Sequence, residues 1–219
     1  MGSEMCIRDR YTPQNLDNSI VEGFAGSFIS LHALYRATLI RLNRHIRLSA
    51  ISPDKIGRNI EQAFYHATNF VRMMHSLAPE GRRQRLPPTA ATEFLFSTPF
   101  PGYTLMLSID VVTAAGTVTA LPSLVETLGT ASSCLEELAG FWASARTQHK
   151  VVANRLKHLT KTVMQEEQGV RNGALGQFWR LPESLEAAFG NDDAVYKADQ
   201  QLVFEVLDQL TGTGSWRTA

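Results

Sequence analysis

Cysteine is nearly absent. The 219 residues hold two, Cys6 and Cys134. That count excludes a disulfide framework of the small secreted kind, and it excludes a cysteine-rich zinc module within this chain. Histidine offers no substitute. The six histidines, at positions 32, 45, 66, 75, 149 and 158, include no i, i+4 pair and no H-E-x-x-H. No metal or other cofactor is therefore expected here. The motifs of covalent and phosphate chemistry are missing too, with no G-x-S-x-G turn and no glycine-rich phosphate loop. Glu136–Glu137 and Glu166–Glu167 are adjacent pairs, and neighbours on a helix point apart, so neither forms a carboxylate dyad. Cys134 has no sequence cue for a base partner and reads as a small buried hydrophobe. The expectation is a protein that is not an enzyme.

Targeting signals are equally scarce. No apolar run follows a basic start, and no Asn-x-Ser/Thr acceptor occurs. A reducing intracellular compartment is expected. The longest apolar stretch is STPFPGYTLMLSIDVVTAAGTVTAL, but Asp110 interrupts it and Pro122 follows. A central aspartate costs a few kcal/mol on insertion scales. The stretch is read as a buried bundle helix, with Thr98 as its cap and Pro99 and Pro101 in its opening turn.

Net charge is zero but unevenly spread. Residues 11–85 carry ten Lys/Arg against five Asp/Glu, and residues 181–219 carry two against seven. A basic front and an acidic tail suit either solvated helix faces or the seating of neighbouring segments and partners.

What is present is helical periodicity. In FISLHALYRATLIRLNRHIRL, the residues Phe28, Leu31, Leu34, Tyr35, Leu39, Leu42 and Ile46 recur three and four apart. They predict one apolar face on a helix running from near Asn18 to near Ser49. Arg36, Arg44 and Arg47 cluster on another face with Arg41 at its edge. This basic face lacks interleaved aromatics and a recognition helix, so it is read as a candidate interaction surface rather than a DNA reader.

Ser52 and Pro53 start the next helix as cap and first residue. Ile56, Ile60, Ala63, Ala67, Phe70 and Met74 then form its buried seam. PEGRRQRLPPTAATEFLF reads as a loop. Arg82, Arg83 and Arg85 within it are a weak basic cluster, suiting nuclear import, an acidic partner, or plain solvation. A short helix is expected over Leu124–Leu128, broken near Gly129.

Leu135, Leu138, Trp142, Ala145, His149, Val152, Leu156, Leu159 and Val163 then alternate three and four. They predict one long helix over about 131–168. Its seam, Leu135, Leu138, Trp142, Val152, Leu156, Leu159 and Val163, is either the core of a bundle or the face of a homodimer. Gly140 and His149 weaken the second reading. A short and a longer amphipathic helix follow in the tail, the latter striped by Val203, Val206, Leu207 and Leu210. Residues 213–219 read as a frayed end. No run of strands is evident. The expected class is all-α, an irregular multi-helix bundle with one long central helix.

Four segments, LHALYRATLIRLNRHIR, HATNFVRMM, FSTPFPGYTLMLSIDVVTAAG and LEELAGFWASARTQHK, together resemble the regulatory (middle-homology) domain of fungal-specific transcription factors. The resemblance covers roughly residues 20–210. It implies a nuclear regulator of RNA polymerase II transcription, with DNA read by an N-terminal zinc module. It further implies an all-α domain that docks partners of the transcription machinery or other domains of its own protein. Zinc and DNA binding would belong to the parent protein only, since the ligand cysteines are not in this chain. MGSEMCIRDR resembles the in-frame translation of a transposase mosaic-end sequencing adapter. Residues 1–10 are accordingly expected to be foreign, and 11–212 to be a regulatory domain truncated at its N-terminus. The alternative is a self-contained helical scaffold that dimerises through the heptad seam.

Overall fold

The computed structural model describes residues 13–44, 53–86, 88, 94–117, 120–167 and 178–180. The adapter-like residues 1–10 lie outside these, as do Arg47, the proposed Ser52 cap and the tail helices. Seven helices and one short strand pair make up the described residues: α1 Pro13–Val21, α2 Ala25–Arg44, α3 Pro53–Leu77, α4 Pro79–Arg85, α5 Phe100–Val112, β1 Ala115–Thr117, α6 Leu121–Ala139, α7 Ala143–Glu167 and β2 Phe178–Arg180. The class is all-α, a multi-helix bundle.

Helix α5 is the axis of the fold. Eleven of its 13 residues are buried, and it packs against α2, α3, α6 and α7. A helix apolar on every side has no face to give to water, so it takes the centre. Its small residues let neighbours come close. A Cβ on Gly102 would stand 2.6 Å from Gln148 Oε1 and 3.1 Å from a Leu135 methyl. The Thr104 hydroxyl donates to the Ala33 carbonyl of α2 at 3.1 Å. Asp110, the one charge in α5, meets Arg155 of α7 at 2.6 Å with both side chains buried. Among the described residues, no helix is long and apolar enough to cross a membrane.

Several element boundaries depart from the expectations. The first predicted helix is two helices. Gly23 takes φ 79°, a left-handed conformation that glycine adopts without steric cost. The Gly23 and Phe24 amides then donate to the Ile20 and Ser19 carbonyls of α1. Pro99, not Thr98, stands at the start of α5. The Thr98 hydroxyl instead bonds Ser30 at 2.8 Å, so its polarity ties α5 to α2 rather than capping a helix. The apolar stretch also stops short. Its helix ends at Val112, and Ala115–Thr117 pairs antiparallel with Phe178–Arg180, Ala115 opposite Arg180 and Thr117 opposite Phe178.

Gly129 does not break α6, which runs through it from Leu121 to Ala139. An exposed glycine with open space around it costs a helix only about 1 kcal/mol, and packing on both sides offsets this. The long central helix over 131–168 is likewise two helices. Gly140, Phe141 and Trp142 turn the chain, and α6 packs back on α7. The alternation of three and four continues through the turn because both helices bury their seams in the same core. The segment read as a loop at 79–86 holds the short helix α4, and Pro79 suits its first turn.

Candidate functional site

The interaction surface expected from the sequence lies on α2, and its geometry inverts the prediction. Ala25, Ile29, His32, Ala33, Ala37 and Ile40 are buried. Leu31, Leu34 and Leu42, predicted to face the core, are 54%, 50% and 65% exposed. Phe28, Tyr35 and Leu39 are half-buried at the flanks. The reason is packing distance. Thr104 reaches the Ala33 carbonyl only because a small-residue face is turned inward, and bulky leucines there would hold α5 away. The periodicity was real, but two apolar stripes share one helix, and the inner one is built from alanine. Exposed Phe24, whose carbonyl accepts from the Phe28 amide, extends the outer stripe just ahead of α2. From Phe24 to Leu42 it is roughly 27 Å long at helical rise.

The arginines of α2 do different work. Arg36 is half-buried; its Nη1 lies 2.7 Å from His66 Nδ1, and the guanidinium sits 5.7 Å from the Tyr35 ring centre and 6.0 Å from that of Tyr65. That is a tertiary joint between α2 and α3, worth about 0.5–2 kcal/mol in cation–π attraction alone. Arg41 is exposed, and its guanidinium donates to the Tyr103 hydroxyl at 3.2 Å. Arg44 closes the helix. Helix α2 therefore carries three arginines, no carboxylate and an exposed leucine stripe.

The weak basic cluster dissolves on inspection of its contacts. Arg82 is 2% exposed, and its Nη2 donates to both carboxylate oxygens of Glu137 at 2.8 Å. Arg85 pairs with Asp17 at 3.1 Å and donates to the Ser76 carbonyl at 2.6 Å. Arg83 remains a surface side chain near Glu80. Two of the three arginines thus fasten α4 to α6, α3 and α1. Sequence reading missed this because a cation run looks the same whether its partners are water or distant carboxylates.

The heptad seam is core. Leu135, Leu138, Val152 and Leu159 are at most 1% exposed, and Trp142, Leu156 and Val163 pack against the same cluster. With α6 and α7 folded on each other, the seam packs within the chain. Of the predicted α3 seam, Ala63, Ala67, Phe70 and Met74 are buried, whereas Ile60 is exposed; the side chain of Ile56 lies outside the description.

Groups with chemical potential are held quiet. Cys134 is fully buried, and its Sγ donates to the Met74 carbonyl at 3.3 Å. Burial, reinforced by Glu137, pushes its thiol far above the reactive range. Burial and then the Arg36 charge lower the pKa of His32 to about 4. Among the described residues, no group of three or more His, Cys, Asp or Glu is placed to hold a metal ion. A cleft between the α1–α2 turn and residues 94–97 has a volume of about 180 Å³. It is smaller than the roughly 300 Å³ at which small-molecule sites begin.

No protein-family model matches the chain, and neither a curated protein nor a solved structure matches it.

Proposed function

We propose that this chain is a regulatory domain of a fungal nuclear transcription factor, working by docking a protein partner on α2. The observation that carries the docking part is the exposed stripe of Leu31, Leu34 and Leu42 on a helix with arginines and no carboxylate. Scattered surface leucines need no explanation, but a stripe one helix long marks an interaction face. Side chains of this kind fit an amphipathic partner helix whose apolar ridge lies on the leucines and whose acidic side meets Arg41. The nuclear and transcriptional part rests on the sequence resemblance. In this reading DNA is bound by a zinc module of the parent protein, and this domain changes what the bound factor does.

The test is a tethered reporter. The chain is fused to an unrelated DNA-binding module in a fungal nucleus, and reporter output is compared with that of the module alone. The expected result is an altered output of severalfold that is lost in Leu31→Asp/Leu34→Asp/Leu42→Asp and reduced in Arg41→Glu. Output that never differs from the bare module argues against transcriptional regulation. Output that survives the leucine changes argues against α2 as the dock.

A further inference from the structure

We propose that the outward face of α7 binds the phosphate backbone of double-stranded nucleic acid without reading its sequence. This surface stands apart from the α2 docking face, and neither depends on the other.

Helix α7 sorts its five Lys and Arg residues by face. Arg155 turns inward to Asp110. Arg146, Lys150, Lys157 and Lys161 are exposed. On a regular helix these four fall within an arc of about 60°, opposite the buried Ala145, Val152 and Leu159, and span about 22 Å of axis. Residues 143–165 contain no Asp or Glu. Arg146 donates to the Ala139 carbonyl at 3.4 Å, and none of the four makes an ion pair among the described residues. Arg146 with Lys150, and Lys157 with Lys161, are like-charge pairs one turn apart, which weaken a helix unless an anion faces them. A chain with 21 cations and 21 carboxylates has the means to alternate signs here and does not.

The surroundings of the cations select the polyanion. A protein partner needs an apolar centre to its interface. The exposed residues between these cations include Thr147, Ala153 and Asn154, and the exposed large hydrophobe of α7, Met164, lies beyond Lys161. An anionic membrane holds an amphipathic helix by its apolar face, and that face of α7 is packed in the core. A duplex backbone asks only for positive charge and hydrogen-bond donors. It presents one phosphate per roughly 1.7 Å of axis, so a ridge of this length faces roughly 13 phosphates, and four cations find partners in any register. A basic stripe along one helix is the electrostatic footprint of such contact.

The test is fluorescence anisotropy of the full chain with short labelled duplexes, two DNAs of unrelated sequence and one RNA. The expected affinity is equal on the two DNAs and falls about 100-fold between about 50 and 200 mM salt, as the release of roughly four counterions dictates. Lys150→Glu/Lys157→Glu/Lys161→Glu is expected to weaken binding by about tenfold or more at the lower salt. Arg58→Glu/Arg72→Glu/Arg83→Glu makes the same change in net charge at exposed positions elsewhere, and is expected to weaken it by no more than about threefold. Thermal unfolding checks that both variants fold, and Lys150→Gln/Lys157→Gln/Lys161→Gln replaces the first if it does not. Binding of DNA, RNA or both with this pattern supports the proposal, and the tighter duplex names the source of the phosphates. No binding at the lower salt overturns it, as do equal losses in the two charge-reversal variants or a strong preference for one DNA sequence. Capture by polyglutamate but by no duplex overturns it and assigns the ridge to an acidic protein. Capture by anionic phospholipid vesicles alone overturns it in favour of a membrane surface. The reporter assay above fails or succeeds independently of these affinities.

Discussion

His32 lies buried on α2, its ring 4.5 Å from that of Phe28. Burial and the Arg36 charge hold its pKa near 4, against 6.5 for a free imidazole. The unfolded chain therefore binds a proton that the folded chain refuses. Stability from this residue is intact above about pH 6.5 and is lost as the pH falls toward 4. The loss is on the order of 1–3 kcal/mol. Urea unfolding at pH 7.5 and pH 5 measures it, and His32→Leu is expected to flatten the difference by about that amount. An unchanged pH dependence in the variant would place the proton elsewhere. None of this is visible in the sequence, where His32 sits among residues of ordinary helical spacing. Its environment is set by Ala33 and Ala37, whose small size draws α2 onto α5. Asp110 was legible only as an obstacle to membrane insertion. Its partner Arg155 is 45 positions away, and the two meet because α5 and α7 run side by side.

Among the elements, α4 separates structural charge from surface charge most sharply. Its seven residues, PEGRRQR, contain three arginines within four positions. Arg82→Met strands the partly buried Glu137 carboxylate and is expected to cost about 2–4 kcal/mol in chemical denaturation. Arg83→Met is expected to change stability by no more than about 0.5 kcal/mol. Equal effects would remove the distinction drawn from their burial. Proline and glycine marked this segment as irregular, but they mark the start of a short helix as readily as a loop. Gly140 carried the opposite ambiguity. The seam from Leu135 to Val163 keeps its period across Gly140–Trp142, and periodicity does not distinguish one helix from two that share a core. The central helix α5 was the most legible element, because a run with no polar face has only one place to go. The short pairing of β1 with β2 was not legible, since three residues are too few to establish an alternation.

For the whole molecule, composition and periodicity led to an all-α bundle, while the orientation of individual helices depended on tertiary packing. The inversion of α2 shows why. Large apolar residues at helical spacing identify a buried face only when no second stripe competes. Here Ile29, Ala33, Ala37 and Ile40 compete and win, because a narrow face permits the close crossing with α5. The leucines are left outside, and on that exposure rests the proposed docking face. The account is tested most directly at two adjacent positions by thermal unfolding of Ala33→Asp and Leu34→Asp. Ala33→Asp buries an unpaired carboxylate and is expected to lower the midpoint by about 10 °C or more, or to prevent folding. Leu34→Asp is expected to lower it by no more than about 3 °C, the range of an exposed substitution. A large loss at Leu34 with a mild effect at Ala33 would put the leucine face in the core and contradict the account.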